Sequence, residues 1–145
     1  MKEYQNIVFH HQMPAQLRFS DVDSFGHINN SIYFSLFDMC KTQYFMNVWG
    51  KDVFKKISTV IVNIEAKFLS PIYYPDEIDI QTAITKMGNK SFTVYQRAIN
   101  RRTKSIKCEC ETVMVAVDAQ NSNAIRIPDE YRKLTQCVED DIMAS

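Results

Sequence analysis

The order of elements in this sequence predicts an α+β fold, an antiparallel sheet of about five strands wrapped around one long helix. Three observations carry that expectation. Over a single long stretch, Tyr33, Phe37, Cys40, Tyr44 and Val48 recur at three- and four-residue steps, with Phe34, Leu36 and Phe45 widening the stripe. The segments after it alternate apolar and polar residues with period two and are separated mostly by short turns. A helix apolar on most sides needs enclosure, and the sheet that follows it is what the chain offers.

Taken in order, Val8, Phe9, His10 and His11 form either a short extra strand or an arm that docks on a neighbour. As a metal pair the two histidines lack a visible third ligand. Met13, Ala15, Leu17 and Phe19 then alternate with Pro14, Gln16, Arg18 and Ser20, predicting a half-buried strand to about Ser20. The helix is expected from Asn30 to Val48, stopped by Gly50. Lys51 to Lys56 is a charged connector with Val53 and Phe54 embedded, read as a short helical turn. Val60, Val62, Ile64, Ala66 and Phe68 mark a long strand broken by Pro71. Tyr74, Pro75, Asp76 and Glu77 make a turn, and Ile78, Ile80 and Ile84 mark the next strand. Met87 to Lys90 reads as a hairpin loop, Ser91 to Asn100 as a strand, Arg101 to Lys104 as a second turn, and Ser105 to Val117 as the last long strand. After a polar loop from Asp118 to Asn123, Ile127, Pro128, Asp129 and Glu130 open a short helix, with proline and acids placed for a first turn. The residues after about Gln136 read as a loose acidic tail.

The chemistry concentrates where the first strand hands over to the helix. Between them lie Asp21, Asp23, Gly26, His27, Asn29 and Asn30. Asn is a strong N-cap and Gly permits a tight turn. A helix entrance presents unpaired N–H groups and the positive end of the dipole, which suits an oxyanion or a polarised carbonyl. A carboxylate beside such a site suits a general base or a nucleophile for acyl transfer, although an Asp there equally caps a turn.

The segment Asp21, Val22, Asp23, Gly26, His27, Asn29, Asn30 and Tyr33 resembles the D-x-D-x-x-G-H-x-N-N-x-x-Y signature of hotdog-fold acyl-CoA thioesterases, in particular the 4-hydroxybenzoyl-CoA thioesterase branch and its bacterial relatives. The likeness continues through Phe68 to Pro71, Tyr74 to Glu77 and Met87 to Ser91, and covers roughly residues 13 to 135 of one domain. It implies the hotdog fold and hydrolysis of a thioester to acid and free CoA. Asp23 matches the family's catalytic carboxylate, as general base or as nucleophile, and Asp21 is left to hydrogen-bond the turn. The resemblance aims the backbone N–H of Asn30 at the thioester oxygen. It leaves His27 either to orient a water or to hold the loop, and Asn29 either to position a water or to cap. Tyr33 is expected to line an acyl tunnel, or the core, or both. Lys86, Asn89, Lys90 and Ser91 resemble the loop that meets the phosphates and pantetheine of CoA, chemistry that suits lysines and loop amides. A carrier-protein thioesterase, a non-catalytic acyl-CoA-binding domain and a hydratase of the same fold are the rivals.

The 145 residues suffice for one domain with a real core, and 46% apolar with 23% charged residues is ordinary for a globular protein. Seventeen basic and seventeen acidic residues cancel, which argues against nucleic acid or an anionic membrane as the main partner. No basic-then-apolar leader opens the chain and no run of about eighteen apolar residues occurs, so no membrane insertion is expected and the cytoplasm is the expected compartment. Cys40, Cys108, Cys110 and Cys137 form no C-x-x-C pair and are expected to be reduced, with Cys40 in the helix core and Cys108 and Cys110 on one face of a strand. No metal or organic cofactor is expected, since CoA enters as part of the substrate. A sheet curled round one helix leaves open edges, so a homodimer or homotetramer is expected, as hotdog domains similarly form.

Overall fold

The computed structural model describes residues 1, 4, 6–139 and 143–144. Its strands are β1 (His11–Pro14), β2 (Ile57–Phe68), β3 (Ile78–Met87), β4 (Ser91–Asn100), β5 (Ile106–Asp118) and the two-residue β6 (Met143–Ala144). The helices are α1 (Asn30–Trp49), the single turn α2 (Val53–Lys56) and α3 (Asp129–Val138). The strands line up in the order β1-β3-β4-β5-β2, all antiparallel, and β6 adds a short parallel pairing beside β3. This is the expected five-stranded sheet, with α1 lying on it.

Local chemistry accounts for the boundaries. Asn29 takes extended backbone and its side chain accepts the Ser31 N–H, which starts α1. Gly50 ends the helix at a φ of 102°, a left-handed value that other residues reach only with strain. The buried face of α1 carries Tyr33, Leu36, Phe37, Cys40, Tyr44, Phe45 and Trp49, while Ser31, Ser35, Asp38, Met39, Thr42 and Gln43 form an exposed stripe. Within one chain the sheet therefore covers one side of the helix. Two apolar clusters result. Tyr33, Phe37 and Cys40 of α1 meet Ile78, Ile80, Cys108 and Cys110 at one end. Phe45 and Trp49 meet Ile84, Phe92, Met114 and Tyr131 at the other. Between them the buried amide of Gln96 donates to the Phe37 carbonyl (2.9 Å) and to Thr82 Oγ1 (3.0 Å), tying mid-helix to mid-sheet.

Two expectations need correction. The first strand ends at Pro14, not near Ser20, because the chain leaves the ladder after Ala15 and tightens into a 3-10 turn at Phe19–Asp21. Alternation persists through Ala15 and Leu17, but the turn throws Phe19 outward to 78% exposure. The tail also starts later than expected. Gln136 to Val138 are the last turn of α3, and Glu139 is buried and accepts the Tyr44 hydroxyl at 2.7 Å. The rest of that tail lies outside the described residues, apart from β6.

The histidine pair separates in role. His11 opens β1 with its ring edge-on to Tyr44, at 5.5 Å between centroids. The Asn47 amide, whose oxygen already accepts from Gln43, donates to His11 Nε2, so Nδ1 carries the proton and stays buried without a partner among the described residues. Burial holds its pKa below the ordinary 6.5. The folded chain then refuses a proton that the unfolded chain accepts, so His11 costs stability as pH falls through about 6.5 and below. Thermal melts of the wild type and His11→Gln at neutral and mildly acidic pH should show the larger acid-induced loss of Tm in the wild type. Equal losses would mean that the ring is not kept neutral by the fold.

Candidate active site

The loop from Asp21 to Asn29 is held by its own polar groups. Buried Asp21 accepts the Arg18 N–H at 2.9 Å through Oδ2, and its carbonyl accepts the Asn29 N–H at 2.9 Å. The Arg18 guanidinium stands 3.5 Å from Asp21 Oδ1. Asp23 exchanges backbone hydrogen bonds with its neighbours, donating to the His27 carbonyl (2.7 Å) and accepting from Gly26 (3.1 Å). Gly26 sits at a φ of 80°, so the turn needs a residue without a Cβ. Asp23 Oδ1 accepts two loop amides, from Phe25 (2.9 Å) and His27 (3.2 Å). Its other oxygen, Oδ2, has no hydrogen-bond donor among the described residues. Both acids thus hold the loop, Asp21 through Arg18 and Asp23 through Phe25 and His27, and Asp23 keeps one oxygen without a donor among the described residues.

At the helix entrance, the Ser31 N–H goes to the Asn29 side chain (3.0 Å) and the Ile32 N–H to the Asn29 carbonyl (2.9 Å). The Asn30 N–H, first in α1, has no acceptor among the described residues. An open cleft of about 520 Å³ lies against it, lined by Asp23, His27, Ile28, Asn29, Asn30, Tyr33 and the segment Phe68 to Pro71. Tyr33 is buried with its ring edge-on to Phe68 at 5.2 Å, and desolvation pushes its phenol up to about 12 against a smaller opposing effect of the Ile72 backbone. Tyr33 therefore belongs to both the core and the cleft wall. The His27 ring stands edge-on to Tyr73 at 5.0 Å, and its backbone bridges the same residue.

Five predicted residues thus meet: Asp23, His27, Asn29, Asn30 and Tyr33. Lys86, Asn89, Lys90 and Ser91 sit elsewhere. They surround the β3–β4 hairpin beside the carboxyl end of α1, whereas the cleft adjoins Ile72 and the Ile78 end of β3, about 30 Å away along that strand. Phe68, Leu69, Ser70 and Pro71 form a cleft wall that the sequence reading left unassigned. The signal was available, since Pro71 forbids the strand to continue and so puts a loop directly after Phe68. The Leu69 and Ser70 amides hang on the Lys107 carbonyl, and the Ile28 amide on the Ile72 carbonyl, which fixes that wall. Among the described residues, no three His, Cys, Asp or Glu side chains gather as a metal set.

An antiparallel five-stranded sheet packed on one long helix is the architecture of the hotdog-type thioesterases. The chain belongs to the thioesterase-like superfamily, whose family model matches residues 17–134, and so stands among thioester hydrolases. It is 25% identical to the 4-hydroxybenzoyl-CoA thioesterase of Pseudomonas sp. (strain CBS-3) over 134 residues, 84% of this chain and 94% of that one. It is 22% identical to the acyl-CoA thioester hydrolase YbgC of Escherichia coli O157:H7 over 108 residues, 72% of this chain and 80% of that one. In fold it resembles a thioesterase of Thermus thermophilus complexed with coenzyme A and Zn, with a TM-score of 0.79 at 20% identity over 91% of this chain and 96% of that one.

The cap is testable apart from any chemistry. Asn29→Ala removes the acceptor for Ser31 and should cost about 1 kcal/mol of stability, whereas Asn29→Ser, itself a good cap, should restore most of it. Denaturant melts of the two variants decide the point. Equal stability would mean that the Asn29 side chain does not hold the helix entrance.

Proposed function

We propose that this protein hydrolyses acyl-CoA thioesters to the free acid and CoA, with Asp23 acting on the carbonyl and the entrance of α1 stabilising the oxyanion. One juxtaposition supports this reading: Asp23 with Oδ2 free and the Asn30 N–H without an acceptor line a single cleft. A thioester carbonyl seated there accepts a hydrogen bond from Asn30 and lies at the positive end of a 20-residue helix. Asp23 Oδ2 then removes a proton from water as the water oxygen bonds to the carbonyl carbon. Collapse of the tetrahedral intermediate breaks the C–S bond, and the thiolate leaves with a proton. In the covalent variant Oδ2 itself bonds to the carbon, the thiolate leaves, and water hydrolyses the anhydride. His27 orients the water, and Asn29 acts by fixing Asn30. The reaction needs no metal or organic cofactor. Four unpaired cysteines suit a reducing compartment, and we take that to be the cytoplasm.

The same reading requires a second copy. Val60, Ile61, Val62 and Ile64 of β2 stand exposed on an edge strand that, among the described residues, pairs only with β5. Antiparallel pairing of two such edges runs the sheets head to tail and brings the far end of one sheet toward the cleft of the other. The β3–β4 hairpin of the second copy, with its lysines and its Asn89 and Ser91, then meets the CoA phosphates.

Asp23→Asn keeps the shape of the side chain and removes its charge. Thioester hydrolysis should fall on the order of a hundred- to ten-thousand-fold with little change in Tm. Asp21→Asn should do the opposite, losing stability at Arg18 and less of the rate. The reverse ordering in a free-thiol assay would move the chemistry to Asp21, and near-wild-type turnover in both would end the carboxylate mechanism. Binding of CoA esters without hydrolysis of any would leave a binding domain.

Removing the charges of Lys86 and Lys90 together should raise KM for acyl-CoA with little change in kcat, an effect that shrinks as salt rises. Sedimentation at micromolar concentration should show at least a dimer. A folded monomer with full activity would remove the shared site.

A further inference from the structure

A second cavity of about 470 Å³ lies on the seam between α1 and β2, lined by Asp38, Lys41, Thr42 and Phe45 of α1, Phe54 of α2, Thr59, Val60 and Ile61 of β2, and Met114 of β5. Its apolar walls are Phe45, Phe54, Val60, Ile61 and Met114, and of its four polar residues Lys41 carries the argument. The Lys41 side chain is only 3% exposed, and its Nζ makes no hydrogen bond among the described residues. Asp38 Oδ1 stands 3.2 Å away, close enough for an ion pair, but at angles that form no hydrogen bond, and Asp38 itself is mostly in solvent. A buried ammonium with unused donors is expensive, and such a group implies an acceptor that arrives from outside.

The cavity is placed to serve the cleft. Both rest on the same two elements, the cleft on Asn30, Tyr33 and Phe68, and the cavity on Asp38 to Phe45 and Thr59 to Ile61. Phe68 meets the rings of Tyr33 and Phe34, so α1 and β2 run side by side in opposite directions along the seam. The contact with Asp38 shows that Nζ reaches back toward the amino end of the helix, to a level about 12 Å beyond Asn30. A benzoyl ring held at Asn30 stops well short of that level, whereas an aliphatic chain of medium length spans it.

Resting on the thioesterase reading above, we propose that the seam holds the acyl chain, and that the Lys41 cavity selects acyl groups carrying an oxygen acceptor, a hydroxyl or a carboxylate, at their distal end. The chain lies against the apolar walls, and its terminal oxygen accepts from Lys41 Nζ. A hydroxyl also donates to Asp38, while a carboxylate displaces Asp38 toward solvent.

The test compares decanoyl-CoA, omega-hydroxydecanoyl-CoA and sebacoyl-CoA, which share one chain length and differ at the far end. In the wild type, at least one of the two oxygenated esters should exceed decanoyl-CoA in kcat/KM by roughly ten-fold or more, and Lys41→Met should erase that ratio. The ratio within each variant cancels any general loss of fold or of active fraction. Which ester wins distinguishes hydroxyl from carboxylate. Thr42→Trp, at an exposed helix position that lines the cavity, should lower kcat/KM for all three esters relative to butyryl-CoA, and it serves if Lys41→Met does not fold. Calorimetry with the matching CoA thioethers reads the same preference without turnover. Failure of every ester to hydrolyse would therefore sink the thioesterase reading and still decide this one. Equal use of the three esters by the wild type overturns the proposal, as does a preference that survives Lys41→Met. A shift in monomer–dimer equilibrium with Lys41→Met and no change in acyl preference also overturns it, since Lys41 would then be meeting a second copy.

Discussion

The entrance of α1 is built so that one amide is left over. Every helix begins with N–H groups that its own carbonyls cannot reach, and an unpaired buried donor is costly. Here Asn29 takes the Ser31 amide with its side chain and the Ile32 amide with its carbonyl, and Asp23 Oδ1 takes those of Phe25 and His27. Asn29 in turn hangs on the carbonyl of Asp21, whose buried carboxylate is anchored at Arg18. What remains at the cleft is the Asn30 N–H and the second oxygen of Asp23. Both line the same open cleft, and the backbone between them is satisfied locally.

That arrangement is only as stable as the helix under it. The amino half of α1 is clamped by Ile78, Ile80, Cys108 and Cys110, and its middle by the Gln96 amide on the Phe37 carbonyl. Losing that amide would leave the buried Thr82 hydroxyl and the second lone pair of the Phe37 carbonyl without this donor. The loop facing the entrance is fixed from the sheet side, because Leu69 and Ser70 donate to Lys107 next to the start of β5. The cleft thus has one wall carried by the helix and another by the sheet, and the shared core sets the distance between them.

The elements that could be read from the sequence are those whose signals are local. Asn29, Gly50, the Met87 to Lys90 loop and the Arg101 to Lys104 turn each carry their own backbone chemistry, and the strands between them follow. Phe19 was misplaced because period two continues through Leu17 regardless of whether a partner strand is still present. The 3-10 turn that ends it depends on Asp21 capping back to Arg18. At the site, Asp23, His27, Asn29, Asn30 and Tyr33 are close in sequence, so a spacing pattern captures them together. Phe68 to Pro71 join them only through the pairing of β2 with β5. Lys41 was invisible for a related reason: on a helical wheel it is one more polar residue near the border of the stripe, and only the position of β2 turns it inward.

The two edges of the sheet are not equivalent. β1 is four residues long, ends in Pro14 and runs into a loop, which is how an edge is blunted against further pairing. β2 is twelve residues long, contains no proline, and presents a β-branched run from Thr59 to Val62, with a bulge between Ile61 and Asn63. Its charged side chains, Glu65 and Lys67, come late in the strand. Selection against aggregation would remove such an edge unless it were covered. The cleft wall at Phe68, the cavity at Thr59 to Ile61 and the open edge all belong to this one strand. Under the dimeric reading, whatever covers β2 must also bound the acyl seam. Val60 and Ile61 then belong both to the edge that decides assembly and to the cavity that decides the acyl group, and a change of partner surface would carry a change of substrate with it.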